Sequence, residues 1–325
     1  MTNRVTKEGC TVYPIVIPTQ SGLKSFNFYL VQKGDSLTLI DAGIDTEECW
    51  TSLNQTLNEQ GFSVSDLTQV LVTHNHHDHV GLINRIAALK DLPIYAHPEA
   101  IYRLKRDKEF FSMRVDFFDQ LYEEMGCGEA GKLQVQRLRD AVAKNKDNAI
   151  HSEIIPLLDT SEVSGWQVME TPGHSPDHVV FFDKKRRWLF AGDHLLQHIS
   201  SNAMIEPDRH GGRGKSLLDY AQSLHQCSQL DLEILFTGHG DFIYDYKDLI
   251  ASRLQRMKEK AEKFLRIIEK GTSTASDLAQ LCYRHKYQSE FALVMSEIIG
   301  HLDYLEANNK VHKVKKNGVW YYSSM

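Results

Sequence analysis

No apolar run in this 325-residue chain approaches the roughly 18 residues that a membrane-spanning helix requires, so a helical membrane span is excluded. The first residues, MTNRVTKEGCTVYPIVIPTQ, place no long apolar stretch behind Arg4 and Lys7, and no secretory signal is expected. Cysteine is sparse and scattered. Cys10, Cys49, Cys127, Cys227 and Cys282 are odd in number, which suits neither a disulfide framework nor a CxxC metal knuckle and points to a reducing, cytoplasmic setting. Internal repeats and low-complexity segments are missing as well. What is present is an ordinary globular composition, 42% hydrophobic and 25% charged, with a length that fits two domains. The net charge of −6 is unevenly spread: residues 251–325 hold 13 Lys and Arg against 8 Asp and Glu. A mildly basic tail on an acidic body does not by itself establish nucleic-acid binding.

Short apolar runs at 37–43, 69–74, 93–97, 178–183, 187–194 and 233–240 read as strands, each ending in a polar or Gly-containing turn. Runs this apolar suit strands buried on both faces and covered by helices. Residues 46–61, TEECWTSLNQTLNEQG, read as one such helix with Gly61 as its stop. The fold class is therefore α/β. The expected layout is a body over residues 1–248, interrupted by a helical insertion at about 98–150, and a smaller domain over 249–325. Phe110, Phe111, Phe117, Phe118, Leu121, Tyr122 and Met125 give the insertion apolar clusters. They imply packing onto the body, a lid, or a homodimer contact. After residue 250, three helical stretches precede a hairpin with its turn at Asn317-Gly318, a winged-helix arrangement.

The strongest chemical signal is Thr73-His74-Asn75-His76-His77-Asp78-His79, which packs four His and one Asp into six residues. A protein core has no use for so many imidazoles, whereas zinc and similar cations take His and carboxylate ligands. His174 in TPGH (171–174), Asp193 in AGDH (191–194) and His239 in TGHG (237–240) each follow a strand run and have Gly nearby, which lets backbone approach a crowded centre.

The order HxHxDH, then His, Asp and His, resembles the metallo-β-lactamase superfamily over roughly residues 12–245, and LIDAG (39–43) is similar to that family's first motif. The resemblance implies a four-layer αββα sandwich with two divalent metal ions at one edge between the sheets. Zinc is the expected metal, with Mn²⁺ or Fe²⁺ as alternatives. It further implies that His74, His76 and His174 hold one metal, that Asp78, His79 and His239 hold the second, and that Asp193 bridges them. Asp41 and Asp78 are the two catalytic acids it suggests, Asp41 by orienting ligands and Asp78 by passing a proton to the leaving group. Asp193 stands where the true β-lactamases tend to carry Cys, and His76 where the flavodiiron branch tends to carry Glu. The pattern is closer to the glyoxalase II, lactonase and ribonuclease branches, and the persulfide dioxygenases with one iron share much of it.

These features imply a cytoplasmic hydrolase in which a metal-activated hydroxide attacks a small, anionic ester, thioester or lactone. Arg209, His210 and Arg213, in the Gly-rich segment 208–214, are candidates for an anion-binding loop that would hold such a substrate. His178 is a candidate for bracing a ligand, whereas His77 and His194 are assigned no metal and His97, His151, His198 and His225 are read as packing or surface residues. The layout of a hydrolase body with a small C-terminal domain resembles the β-lactamase-like protein 2 group, which implies single-stranded RNA cleavage as an alternative. In that reading the helix at 296–307 and the wing lysines Lys310, Lys313, Lys315 and Lys316 would meet RNA, although Glu297, Asp303 and Glu306 make the helix a poor match for phosphate. A persulfide dioxygenase is the second alternative, and a regulatory protein without catalysis is opposed by the intact ligand set.

Overall fold

Side chains that alternate across each strand sort themselves into three layers of core, and this sorting builds the fold. The computed structural model describes residues 4–325. Its first sheet runs in chain order through β1 (Val5–Lys7), β2 (Cys10–Pro18), β3 (Ser25–Lys33), β4 (Ser36–Ile40), β5 (Gln69–Leu71), β6 (Ile94–Ala96) and β7 (Ile154–Pro156). β1 to β4 form an antiparallel meander, and β4 to β7 pair in parallel. The second sheet contains β8 (Glu162–Val163), β9 (Trp166–Glu170), β10 (Val179–Asp183), β11 (Trp188–Gly192) and β12 (Ile234–Thr237), with only β11 and β12 parallel.

Parallel neighbours need crossovers, and helices supply them. Between β4 and β6 lie α1 (Glu47–Glu59), the short α2 (His77–Val80) and α3 (Ile83–Leu89). α1 begins where the Thr46 hydroxyl accepts from the Cys49 amide at 3.3 Å and carries Glu47 and Glu48 in its first turn, both favourable at a helix N-terminus. Gly61, at φ 79°, turns the chain just past its end. Between β6 and β7 come α4 (Pro98–Leu104), α5 (Lys108–Glu124) and α6 (Gly128–Lys144). α7 (Ser216–Ser228) joins β11 to β12, and the chain ends with α8 (Tyr246–Ile268), α9 (Ala275–Cys282), α10 (Phe291–Ala307) and the hairpin of β13 (Val311–Lys316) and β14 (Val319–Ser324).

Leu30 and Leu39 of the first sheet face Leu53 and Leu57 of α1 and Ile86 of α3. Their strand neighbours Tyr29, Val31 and Ile40 turn the other way, against Val179, Phe181, Phe190 and Phe236 of the second sheet. Val180, Phe182 and Leu235 complete the alternation by packing on Leu217, Tyr220 and Leu224 of α7 and on Ile250 of α8. The order of layers is therefore helix, sheet, sheet, helix, the αββα sandwich expected.

A fourth core lies outside the sandwich. Val115, Phe118, Leu121 and Tyr122 of α5 pack against Phe264 of α8 and Phe291, Met295 and Ile298 of α10. These apolar residues of the insertion thus pack on the C-terminal helices. The expected boundary at 248/249 lies close to the start of α8. It falls inside α8, whose Tyr246 and Ile250 belong to the sandwich core while Ala261, Phe264 and Ile268 belong to the fourth core. One uninterrupted helix therefore serves both units. Among the described residues no helix is long and apolar enough to cross a membrane, and no two cysteines are bonded.

Candidate metal centre

The histidine-rich segment leaves β5 at the open edge between the sheets and is tied to both. The Val72 amide donates to the Tyr95 carbonyl at 2.9 Å, and the Thr73 carbonyl accepts from the Val179 amide at 2.8 Å. Asp41 takes the Thr73 amide at 2.8 Å, the Thr73 hydroxyl at 2.9 Å and His79 Nδ1 at 2.8 Å. It does so from a left-handed backbone, φ 57°, a conformation that costs a non-glycine residue of order 1 kcal/mol or more and that its three donors offset. Asp177 secures the turn between the first two histidines by accepting the Asn75 amide at 2.7 Å and its side-chain amide at 2.6 Å.

These anchors bring seven side chains together from four segments. His74 Nε2 lies 2.9 Å from His76 Nδ1, which lies 3.1 Å from His174 Nε2. His239 Nε2 lies 3.5 Å from Asp78 Oδ2 and 3.1 Å from Asp193 Oδ2. Asp193 spans the two groups, with Oδ2 3.5 Å from His174 Nε2 and Oδ1 3.4 Å from His79 Nε2. His74, His76 and His174, and likewise Asp78, His79 and His239, present ligand atoms within 4.8 Å of one another. Nitrogens bound to a tetrahedral zinc at about 2.05 Å stand roughly 3.3 Å apart, so the spacing suits a shared cation.

Protonation follows from what lies behind each ring. His174 Nδ1 donates to the Asn202 carbonyl at 3.0 Å and His239 Nδ1 to the Ser25 carbonyl at 2.8 Å, which turns each Nε2 inward. His79 Nδ1 is held by Asp41 in the same way. His79 Nε2 and Asp193 Oδ1 are buried with no hydrogen-bond partner, a costly arrangement that a bound cation resolves. The donor set of five imidazoles and two carboxylates fits zinc, manganese or ferrous ions.

The electrostatics differ between the clusters. Burial, reinforced by the neighbouring imidazoles, holds His74 well below the usual histidine range. Burial, together with His174, brings His76 down to about 4. Burial also opposes charge on His79, but the Asp41 and Asp193 carboxylates outweigh it and hold that ring well above the ordinary value. Asp193 is itself disfavoured by burial and pulled well below the carboxylate range by His79 and His239.

Glycine is required twice at this edge. A Cβ on Gly238 would stand 2.4 Å from Asp193 Oδ1 and 2.7 Å from His79 Cε1. One on Gly192, at φ 45°, would meet Thr73 Oγ1 at 2.7 Å and His178 Nε2 at 2.9 Å.

His74, His76, Asp78, His79, His174, Asp193 and His239 thus converge. Asp41 does not reach the converging atoms; it acts through His79 and Thr73 as a positioning residue. His178 braces Asp193, whose amide donates to His178 Nε2 at 3.1 Å, while His178 Nδ1 bonds Thr171 Oγ1 at 2.8 Å. His77 points away, its side chain 76% exposed. The residues expected to form an anion-binding loop have partners within the chain. Arg213 is held by Asp303 of α10 through two bonds of 2.6 and 2.8 Å, and Arg209 turns to Glu99 at 3.4 Å with His210 beside it. An arginine fork already filled by a carboxylate has little left for a substrate anion. Asp177, Asn202, Ser25 and the buried Arg114–Glu206 pair were not foreseen, because each acts on a residue far away in sequence.

The profile of the Metallo-beta-lactamase superfamily matches residues 23–239, and those bounds enclose all seven converging side chains. The chain belongs to this superfamily. It is 34% identical over 319 residues to the probable metallo-hydrolase YqjP of Bacillus subtilis, covering 97% of this chain and 98% of that protein. It is 24% identical over 310 residues to the Beta-lactamase-like protein 2 homolog of Drosophila melanogaster, covering 94% of this chain and 90% of that one. Among solved structures, the metallo-beta-lactamase family protein TTHA1429 from Thermus thermophilus superposes with a TM-score of 0.77 at 24% identity, over 97% of this chain and 98% of the other. That likeness carries the fold across the C-terminal helices as well as the sandwich. As a member of the superfamily, with relatives named for the activity, this chain is a metallo-hydrolase.

Proposed function

We propose that this metallo-hydrolase holds two divalent metal ions, zinc by preference, and cleaves a small ester, thioester or lactone. The observation that carries this reading is Asp193, whose two carboxylate oxygens face both histidine groups and leave Oδ1 without a partner. His74, His76 and His174 are assigned one ion, Asp78, His79 and His239 the other, and Asp193 both. This second set of donors favours a pair of ions over the single iron of a dioxygenase.

Bound divalent ions supply an activated water, whose pKa can fall to about 7, and positive charge for a developing oxyanion. The chain's own contribution is arrangement. Asp41 fixes the His79 ring with its Nδ1 proton outward, and the Asn202 and Ser25 carbonyls do the same for His174 and His239. Asp78, less buried than Asp193 and held as a carboxylate by His79 and His239 against the effect of burial, is placed to take a proton at Oδ1 or Oδ2 and return it to the leaving group. His178 and Ser201 fix Asp193 through its main chain, so its carboxylate has few ways to turn.

The surroundings support a small substrate over RNA. Lys313 pairs with Glu306 at 2.8 Å, and Lys315 pairs with Glu124 at 2.9 Å, so two of the wing's cations are already neutralised within the chain. α10, the helix that would read nucleic acid in a winged-helix arrangement, buries Ile298, Ile299, Leu302 and Asp303. We assign the C-terminal helices and hairpin a bracing role and place the protein in the cytoplasm, where unpaired cysteines persist. The test is metal content of the purified protein alongside turnover of thioesters, lactones, esters and single-stranded RNA. About two ions per chain with hydrolysis of one small class upholds the reading. A single iron without hydrolysis, or turnover of RNA alone, overturns it.

A further inference from the structure

Behind the metal centre, on the far side of the segment Ser200–Ala203, a cavity of about 460 Å³ opens between α8 and α10, within the size range of small-molecule sites. None of the seven converging residues lines it. α8 turns Arg253, Arg256, Lys260 and Lys263 to it, spaced at three and four residues along one helix face. Two of these cations are engaged: Arg253 donates to the carbonyls of Leu196, Gln197 and Ile199 at 2.9 to 3.1 Å, and Lys260 pairs with Glu297. Arg256 and Lys263 are exposed, with Glu259 on the same lining, and among the described residues neither cation has a hydrogen-bond or ion-pair partner.

The inner wall has the opposite need. His301 is 3% exposed, and its Nδ1 donates to the Glu297 carbonyl at 2.7 Å, so Nε2 is a bare acceptor. Among the described residues that atom is buried without a partner, and so is Nε of Arg253, another residue of the lining. Leaving such groups unpaired costs stability, and a ligand that supplies the missing partner recovers it. The lining also carries the apolar Met257, Phe264, Leu217 and Leu293.

We infer that this cavity is a second binding site, for a small organic anion with a phosphate or carboxylate at one end, a short apolar body, and a hydroxyl at the other. Arg256 and Lys263 hold the anion, and His301 Nε2 accepts from the hydroxyl. The floor connects the site to the metal centre: the Asn202 carbonyl holds His174, and the Ser201 hydroxyl donates to the Asp193 carbonyl. The same chemistry fits either the tail of the substrate hydrolysed at the metals or a separate anion that adjusts those ligands from behind. The inference concerns binding and stands apart from the hydrolase assignment.

The test is calorimetric titration of the metal-loaded protein with 6-hydroxyhexyl phosphate, with hexyl phosphate and inorganic phosphate as comparisons. Saturable one-to-one binding is expected, about tenfold weaker for hexyl phosphate, which lacks the hydroxyl. The surface variant R256A/K263A should weaken 6-hydroxyhexyl phosphate by about tenfold or more. His301→Leu should bind the two organic phosphates alike. No saturable heat at millimolar probe overturns the site. So does binding that survives R256A/K263A but vanishes when the metals are chelated, which would put the phosphate on the ions. With an active substrate in hand, competition between probe and substrate identifies the substrate's tail, and a changed kcat at unchanged KM identifies a separate effector; both uphold the site.

Discussion

The two halves of the candidate metal centre both rest on buried histidines, yet those histidines shift in opposite directions. His74, His76 and His174 are buried, and burial, reinforced by the imidazoles around each, holds them below the ordinary histidine value. His79 and His239 are just as deep, but Asp193 faces both and Asp41 backs the first, and these carboxylates outweigh burial and favour the protonated ring. Depth alone therefore does not decide the protonation of a buried histidine; the carboxylates that share its pocket do. The first half is ready for a cation, whereas the second must exchange protons for one.

Removing what the halves share should have the largest effect. Asp193→Ala is expected to lose bound metal and lower kcat/KM by a thousandfold or more, about 4 kcal/mol of barrier, measured by metal analysis and turnover. A metal-replete, fully active variant would refute the shared role. Asp41→Asn separates the halves. It should weaken one ion by about 10- to 100-fold and leave the other near its normal affinity, read from a two-step metal titration. Uniform loss of both ions would erase the distinction.

Proton counting sharpens it further. Because His79 and His239 are held above the ordinary histidine range, zinc loading of the metal-free protein near neutral pH should release protons, visible as a heat that changes with the buffer's ionisation enthalpy. Asp41→Asn should reduce the number released. The first half gives a signal of opposite sign. His76 titrates near about 4 when folded and near 6.5 when unfolded, so between those values the unfolded chain binds more protons. Its contribution to metal-free stability is complete above the upper value and is lost as pH falls through the lower one; His76→Asn should flatten that part of the stability profile. The smallest effect is expected from Lys313→Ala with Lys315→Ala. Their ion pairs lie at the surface, and turnover of a small substrate should change by less than about twofold, with little dependence on salt.

Much of the sandwich was legible because its central strands are continuous apolar runs. Each of the six runs read as strands overlaps an observed one, β4, β5, β6, β10, β11 or β12. The N-terminal meander was not read. β2 carries Pro14, which a central strand excludes, but β1 pairs only as far as Val12, so Pro14 lies where β2 is an edge strand and its missing amide breaks no ladder. The histidine cluster was legible because so many ligating side chains at short spacing have no packing explanation. The partner of Arg213 was not legible, because a sequence shows a cation but hides its counter-ion, and Asp303 lies 90 residues away.

By itself the sequence determined the α/β class, the candidate ligand side chains and the strand ends that carry them, because periodicity and spacing act over short stretches of chain. The tertiary structure alone decided which way the histidines of each half shift, where the insertion spends its apolar face, and which basic residues remain free. Those outcomes depend on Asp41 meeting His79, on α5 meeting α10, and on Arg256 and Lys263 forming no ion pair among the described residues. Electrostatics and burial are set by neighbours in space, and folding chooses those neighbours from distant parts of the chain.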